Sequence, residues 1–549
     1  MLCRAAQAHL LLDSCLRTLH ADALPLDRRY AQILADLPPV EACLTSVEPP
    51  LLHQQLLALL NPHPLLLPHH PHGLDADDDN DDSDDGGSPT ALALAQFQRL
   101  ALRLLPLLAH TAPAMATAES AAVLASLASP HDPWTTPSLR VLATRQLQEL
   151  MAAAPAPGDG LPPLVLAVLR DTLKPLFGAP TPSAARVTRL GRLALRAPAG
   201  RTPINTDTPA WMAQRPAAVA ILEWTLASLP ARRAAIEAAW PLLLPPVLTL
   251  LDSTLVAAKT RAVRMVALLL RRLEDSRCDL LLRTGMAGVL WDAVLPCLSY
   301  LPPLTPSSEA VPLLRAAYDC LLALACHGHG PASGAGTGAP GGSALAKSGP
   351  HGAVAAGASP KVAKLDVLVR EGFLRGMSFA GEHVAVVRVL VAALARIVAA
   401  MGVWAVRHLP RIVPALAAIL ANPFGDLCLP LLADAADCLA VVVANCWPRM
   451  ADYVPECLRG LALCWARARD AAGRGSESEE LVRRLRKTVA VLRAVVVQAE
   501  PGGSERWQRL EAGMRGAGFA GLFEPGTVID AHSGAAPPAP VREAVAEQI

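Results

Sequence analysis

The sequence predicts an all-α protein made of stacked helix pairs, and three observations carry that prediction. The chain has 549 residues, too many for one hydrophobic core. It is 52% hydrophobic yet only 4% aromatic, with Ala and Leu in excess over strand-forming residues. An apolar-Pro step also returns along the chain at the head of apolar helical stretches: Leu244-Pro245, Leu295-Pro296, Val413-Pro414 and Val454-Pro455.

The stretch "LLPPVLTLLDSTLVAAKTRAVRMVALLLRRL" (243–273) shows the unit most clearly. Its second half places Val263, Val266, Leu270 and Leu273 on one helical face. Arg261, Arg264, Arg271 and Arg272 share the opposite face, where they meet solvent or pair. A helix with Pro245 and Pro246 precedes it, and Asp252 lies in the turn. Partner helices follow the later Pro steps in the same way, at 429–446 and 481–499. Helix pairs recurring every 40 to 50 residues or so are the HEAT or armadillo pattern, in which each pair buries its apolar stripe only by stacking on its neighbours. The reading is a HEAT/armadillo-like helical-repeat solenoid with disordered insertions, of about eight to ten pairs. On this reading a charge at Val263 costs far more than a neutral residue at Arg261.

Composition divides the chain. Residues 1–60 read as N-terminal helices, and 61–90 as a disordered Pro/His/Asp-rich insertion. Helical repeats are expected at 91–178, a Pro/Thr-rich linker at 179–210 and further HEAT-like repeats at 211–326. A disordered Gly/Ala/Ser-rich insertion occupies 327–360, repeats resume over 361–500, and 501–549 is a tail expected to be largely disordered.

Net charge is +1, and only six of the 49 cations are Lys. The arginines are dispersed, which argues against direct nucleic-acid binding. The twelve Cys form no C-x-x-C pair and lie mostly in apolar helices, as buried free thiols of a reducing compartment do. The N-terminus lacks the continuous apolar core of a signal peptide, and no helical run of about 18 uncharged apolar residues is found, so no membrane span is expected. The expected location is the cytoplasm, with the nucleus as a second compartment.

Motifs of chemistry are sparse. G-T-G-A-P-G at 336–341 matches a dinucleotide fingerprint but sits in low-complexity sequence without a preceding strand. "DDSDDG" at 81–86 begins like a calcium loop, yet its twelfth position is Leu92 where Glu is needed. His63, His69, His70 and His72 lie beside eight Asp residues at 75–85, with nothing to fix a ligand geometry. No nucleophile, base or metal constellation appears, so no catalysis, metal or cofactor is expected. Ser83 within the acidic block is a candidate phospho-docking site for a basic partner. "SESEE" at 476–480 fits a helix start, with Ser476 and Glu479 at capping-box spacing.

The stretch 281–325, "LLRTGMAGVLWDAVLPCLSYLPPLTPSSEAVPLLRAAYDCLLALA", resembles the Tti-two family, the Tel-two-interacting-protein-two subunits of the Triple T co-chaperone complex. The matching features are Arg283-Thr284-Gly285, Tyr300-Leu301-Pro302, Leu304-Thr305-Pro306, Leu313-Leu314 and Ala317-Tyr318. The resemblance extends over about 235–500, through "HLPRIVPALAAILANPF" and "WPRMADYVPECLRGLALCWAR". It implies a non-catalytic scaffold joined to Tel-two-like and Tti-one-like helical-repeat subunits. That complex works with the Hsp90 machinery to mature phosphatidylinositol-3-kinase-related kinases, which act in nutrient signalling, DNA-damage checkpoints and telomere maintenance. Arg283, Thr284, Gly285, Tyr300, Leu301, Pro302, Thr305, Pro306 and Tyr318 are candidates for the partner surface or for packing at a repeat junction. Thr305-Pro306 fits a helix cap followed by Pro at the first helical position, and Gly285 suits a corner with positive φ. A transport receptor, a phosphatase-type scaffold and an enzyme with a helical body remain the alternatives.

Overall fold

The computed structural model describes residues 2–21, 24–43, 49–66, 89–111, 117–154, 160–178, 210–327, 359–471, 476–499 and 502–524. Among the described residues every regular element is a helix. The chain is an all-α HEAT/armadillo-like helical array. It divides into two compact units, Met1–Tyr300 with Ser308–Ser343 and Leu301–Ser307 with Ala344–Ile549.

In the first unit, Leu2–His20, Leu26–Cys43, Pro49–Leu60 and Pro89–Thr111 pack together. Tyr30 lies against Phe97 with ring centroids 5.6 Å apart. The next pair, Ala118–Ala128 and Pro137–Ala153, starts on side-chain caps. Thr117 accepts a hydrogen bond from the Ser120 amide and Thr136 one from Leu139, with Pro137 opening the second helix. Arg233–Leu251 then packs on Val256–Asp275. On the latter, Val263, Val266, Leu270 and Leu273 are buried, as the 3.6-residue period requires.

On the opposite face two arginines meet solvent and two are paired, as the sequence reading allowed, but the cost expected of a neutral residue at Arg261 changes. Arg264 and Arg271 are exposed, and Arg272 donates to the Ala227 carbonyl at 2.9 Å. Arg261 is 11% exposed and holds two carboxylates: Asp132 through Nη1 at 2.6 Å and Glu223 through Nη2 at 2.6 Å. Its Nε donates to the second Glu223 oxygen at 2.9 Å. Burial disfavours the guanidinium charge, but hydrogen bonds and the field of Glu223 and Asp132 outweigh it and hold the proton more firmly than usual. A neutral residue at Arg261 is therefore not a surface change.

In the second unit, alternate helices stack. Val384–Met401 packs on Leu429–Asn445, and that on Ser476–Ala499; Leu409–Ala421 packs on Val454–Ala471. This is helix-pair repetition in physical form: first helices meet first helices, and second meet second. Arginines tie successive pairs. Arg388 reaches Asp434 at 2.9 Å, and Arg484 reaches Asp437 at 2.7 Å. Arg467 donates to the Leu420, Ala421 and Asn422 carbonyls at the end of Leu409–Ala421, satisfying groups that a helix C-terminus leaves open. Gly460 lets that packing close, because a Cβ there would lie 3.1 Å from the Ala417 Cα.

The four Pro steps differ in what they do. Pro245 and Pro414 are helix-interior. Pro296 opens a 3-10 turn, Leu295–Ser299, and Pro455 sits in the first turn of Val454–Ala471, where no amide is needed.

Two expectations on disorder shift. Within the expected insertion 61–90, Pro64–Leu66 forms a 3-10 turn with Leu66 buried, and the helix Pro89–Thr111 begins. Part of the 501–549 tail is folded as the helix Gly503–Met514, where buried Trp507 meets Phe523 edge-on at 6.2 Å. Those aromatics supply the apolar surface that the Gly-rich composition hides. The rest of both insertions, the linker to residue 209 and the tail from 525 lie outside the described residues.

Apolar length also exceeds the expectation. Thr90–Ala109, Arg233–Leu251, Val384–Ala421 and Gly425–Asn445 are long and apolar enough to cross a membrane by length and composition. Arg388 and Arg396 do not bring Val384–Ala421 below that measure. Between 39% and 56% of the most apolar 18 residues in each stretch is buried within the fold, so much of this hydropathy goes into helix packing.

Among the described residues ten cysteines are free thiols, eight of them buried. Burial pushes Cys15 and Cys297 up to about 11, and Cys446, Cys457 and Cys464 up to about 12.

Candidate functional site

The family-like stretch forms a corner and the helix after it. Leu280–Arg283 is one helical turn, and Gly285, at φ +69°, reverses the chain into Met286–Val294. The left-handed backbone explains why Gly stands there. Thr284 Oγ1 donates to the Leu280 carbonyl at 2.7 Å, which tightens the turn.

Arg283 belongs to a four-residue ion cluster. It reaches Glu237 at 2.6 Å and Asp279 at 3.8 Å, while Arg233 reaches Asp279 at 2.8 Å and Glu237 at 3.2 Å. Hydrogen bonds from Arg283 and Arg233 hold the Glu237 carboxyl below its usual value. All four side chains are more than a third exposed. The cluster ties the Arg233–Leu251 helix to the corner and leaves Arg283 reachable from solvent.

The other candidates separate by burial. Tyr300, half-buried, lies under the Lys259 ammonium, which is 5.0 Å from its ring centre. Tyr318 is 1% exposed on Ser307–Cys326, and its hydroxyl has no hydrogen-bond partner among the described residues. Burial raises its pKa far above the ordinary tyrosine value. Leu301, Pro302 and Thr305 are buried, and the Thr305 amide donates to the Leu301 carbonyl at 3.1 Å. Helix Ser307–Cys326 begins just after exposed Pro306, so Thr305 stands one residue further out than the expected cap. The structure thus puts Arg283, Thr284, Gly285 and Pro306 on the surface and makes Leu301, Pro302, Thr305 and Tyr318 packing groups. Ser83, the acidic block at 75–85 and the segment 336–341 lie outside the described residues.

Sequence reasoning missed three features. His53 Nε2 stands 2.7 Å from Ser120 Oγ, which is 2.7 Å from Thr117 Oγ1. His53 and Ser120 are 2% and 1% exposed, and burial lowers the His53 pKa. A base beside a hydroxyl sealed from solvent has no access to substrate, so this pair packs rather than reacts. The other two are clefts. One of 410 Å³ in the first unit is lined by apolar groups including Leu147, Met151 and Trp224. One of 430 Å³ in the second is lined by Trp404, Arg407, Arg449 and Tyr453 among others. The signal for the second was the spacing Trp404-x-x-Arg407, since residues three apart stack in a 3-10 turn. Among the described residues no group of three or more His, Cys, Asp or Glu could hold a metal ion.

Comparison with curated proteins finds no match. Among solved structures the chain is similar to Kap121p bound to Ste12p, at 11% identity and a TM-score of 0.36 over 89% of this chain and 46% of that one. The karyopherin Kap121p bound to the SUMO protease Ulp1p gives 12% identity and a TM-score of 0.37 over 88% and 46%. The chain spans a little under half the length of these structures. A family model matches residues 121–427, more than half of the sequence, including the Arg283 corner and the helix with Tyr318. The chain belongs to the Tti2 family.

Proposed function

We propose that the chain is a non-catalytic scaffold, the Tti-two-type subunit of a Triple T co-chaperone complex. The observation that supports this most is the family match over 121–427, laid on an array of stacked helix pairs. In this reading Tel-two-like and Tti-one-like helical-repeat subunits bind the array. The assembly works with the Hsp90 machinery to stabilise phosphatidylinositol-3-kinase-related kinases, in the cytoplasm and the nucleus. Arg283, Thr284, Gly285 and Pro306, being exposed, are the family-signature residues open to a partner. Tyr300 is half-buried beside Lys259, and Leu301, Pro302, Thr305 and Tyr318 are buried, so they serve packing rather than direct contact. Ser83, when phosphorylated, supplies a second contact to a basic partner.

The test is to tag the chain in its own cells, purify it gently and quantify co-purifying proteins by mass spectrometry. Two helical-repeat subunits at equal stoichiometry, with very large kinases in lower amounts, are expected. Stoichiometric nucleotide binding by the purified chain, or a small GTPase in place of the two subunits, would sink the proposal. If deleting 61–90 leaves every partner bound at unchanged affinity, the Ser83 contact fails.

A further inference from the structure

Two neighbouring turns of the second unit build an unusual surface. Gly402–His408 and Trp447–Tyr453 are both 3-10 segments, each leading into the first helix of a pair, and they pack against each other. The 430 Å³ cleft lies here. Trp404 and Val403 stand 47% and 44% exposed at its edge, although Trp is ordinarily well buried. The Arg407 guanidinium lies 5.4 Å from the Trp404 ring centre, while its Nη1 holds Asp366 at 2.8 Å. Trp404 is therefore held in place by a cation that is itself held. Tyr453 and Pro410 complete the apolar wall.

Charge decides what fits. Arg407 and Arg449 line the cleft, and among the described residues no carboxylate does. Asp366 is 15% exposed and already holds both Arg407 and His408. Arg449 is exposed and makes no ion pair among the described residues, as is Arg411 in the adjoining helix turn. Asp452, on the same turn as Arg449, is the exposed acid nearest in sequence. Trp, Tyr and Arg around a concave apolar centre are the side chains that dominate binding energy at interfaces.

We infer that this cleft binds an acidic segment of a partner protein, with one apolar side chain inserted beside Trp404 and a carboxylate on Arg449. The inference deepens the scaffold reading and rests on it for the existence of a partner. Because Arg407 fixes Trp404 before binding, little side-chain freedom is lost on docking. Two lining cations are too few to track a nucleic-acid backbone, and Arg407 already occupies a position over the Trp404 ring.

The experiment uses the full chain and a fluorescein-labelled peptide of Glu and Asp residues around a central Phe-Leu, read by fluorescence anisotropy. Trp404→Ala and Arg449→Glu are each expected to weaken binding about tenfold or more, with melting temperature retained. A peptide with Ser in place of Phe-Leu, and one with Lys in place of the acids, should bind no better than those variants. Absence of binding to the wild-type chain, or equal binding to both folded variants, overturns the inference. So does a single-stranded oligonucleotide or a second copy of the chain that occupies the cleft in preference to the peptide. The same variants are also purified from cells. Lost peptide binding in the wild type with both helical-repeat subunits present rejects the cleft and keeps the scaffold reading. Peptide binding in a wild-type chain that brings down neither subunit rejects the scaffold reading and keeps the cleft.

Discussion

Arg261 and Arg283 do the same job under different solvent. Each joins helices from different pairs, and each approaches a carboxylate at 2.6 Å. Arg261 is 11% exposed and meets Asp132 at 6%, whereas Arg283 is 51% exposed and meets Glu237 at 37%. Distance alone would rank them equal. Exposure separates them, because water and salt screen the second pair while the first has left water.

The largest expected effects lie on the Val256–Asp275 helix. Val263→Asp places a charge at a fully buried site, and the chain is expected to unfold or aggregate. Arg261→Ala strands Asp132 and Glu223 and should cost about 3–5 kcal/mol in urea unfolding. The sequence reading expected a small effect there, so this substitution decides between the two. If Arg261→Ala costs no more than Arg283→Ala, solvent reaches both sites and the comparison breaks. Arg261→Lys keeps the charge but loses the fork that serves two carboxylates, with an expected loss of about 1–3 kcal/mol.

Acid sharpens the contrast. Burial lowers His53 from 6.5, so the folded chain resists a proton that the unfolded chain accepts. Stability is full above pH 6.5 and falls as pH drops below it, through the lowered folded value. Glu237 is held below 4.5 by Arg283 and Arg233, so its contribution persists down to about pH 4.5 and is lost only beneath that. Melting curves between pH 6.5 and 4.5 should therefore decline in the wild type and decline less in His53→Gln. An unchanged slope in His53→Gln would remove the imidazole from the account. The smallest expected effect is Arg283→Ala, within about 1 kcal/mol and erased by about 1 M salt.

What was legible in the sequence was local. The stripe Val263, Val266, Leu270 and Leu273 follows from helical period alone, and Gly285 from the backbone a tight corner needs. The Arg261 node was not legible, since Glu223 and Asp132 lie 38 and 129 residues away. Periodicity assigns a face to a side chain but cannot say what the rest of the chain brings to that face. Tyr318 was recognisable only as part of a family pattern, and its full burial on Ser307–Cys326 is set by the fold rather than by any local motif. The Trp404 cleft needs two turns 43 residues apart, at Trp404 and Trp447, to pack side by side, which no single window of sequence contains. Trp507 was passed over because flanking Gly residues dominated the composition around it.

The buried thiols make the chain its own reporter of damage. Cys15, Cys278, Cys297 and Cys320 belong to the first unit, and Cys438, Cys446, Cys457 and Cys464 to the second. While folded they are hidden, so oxidants and alkylating agents pass them by. Once one unit opens, its own four become nucleophilic together, and a mass spectrum of modified cysteines names the half that failed.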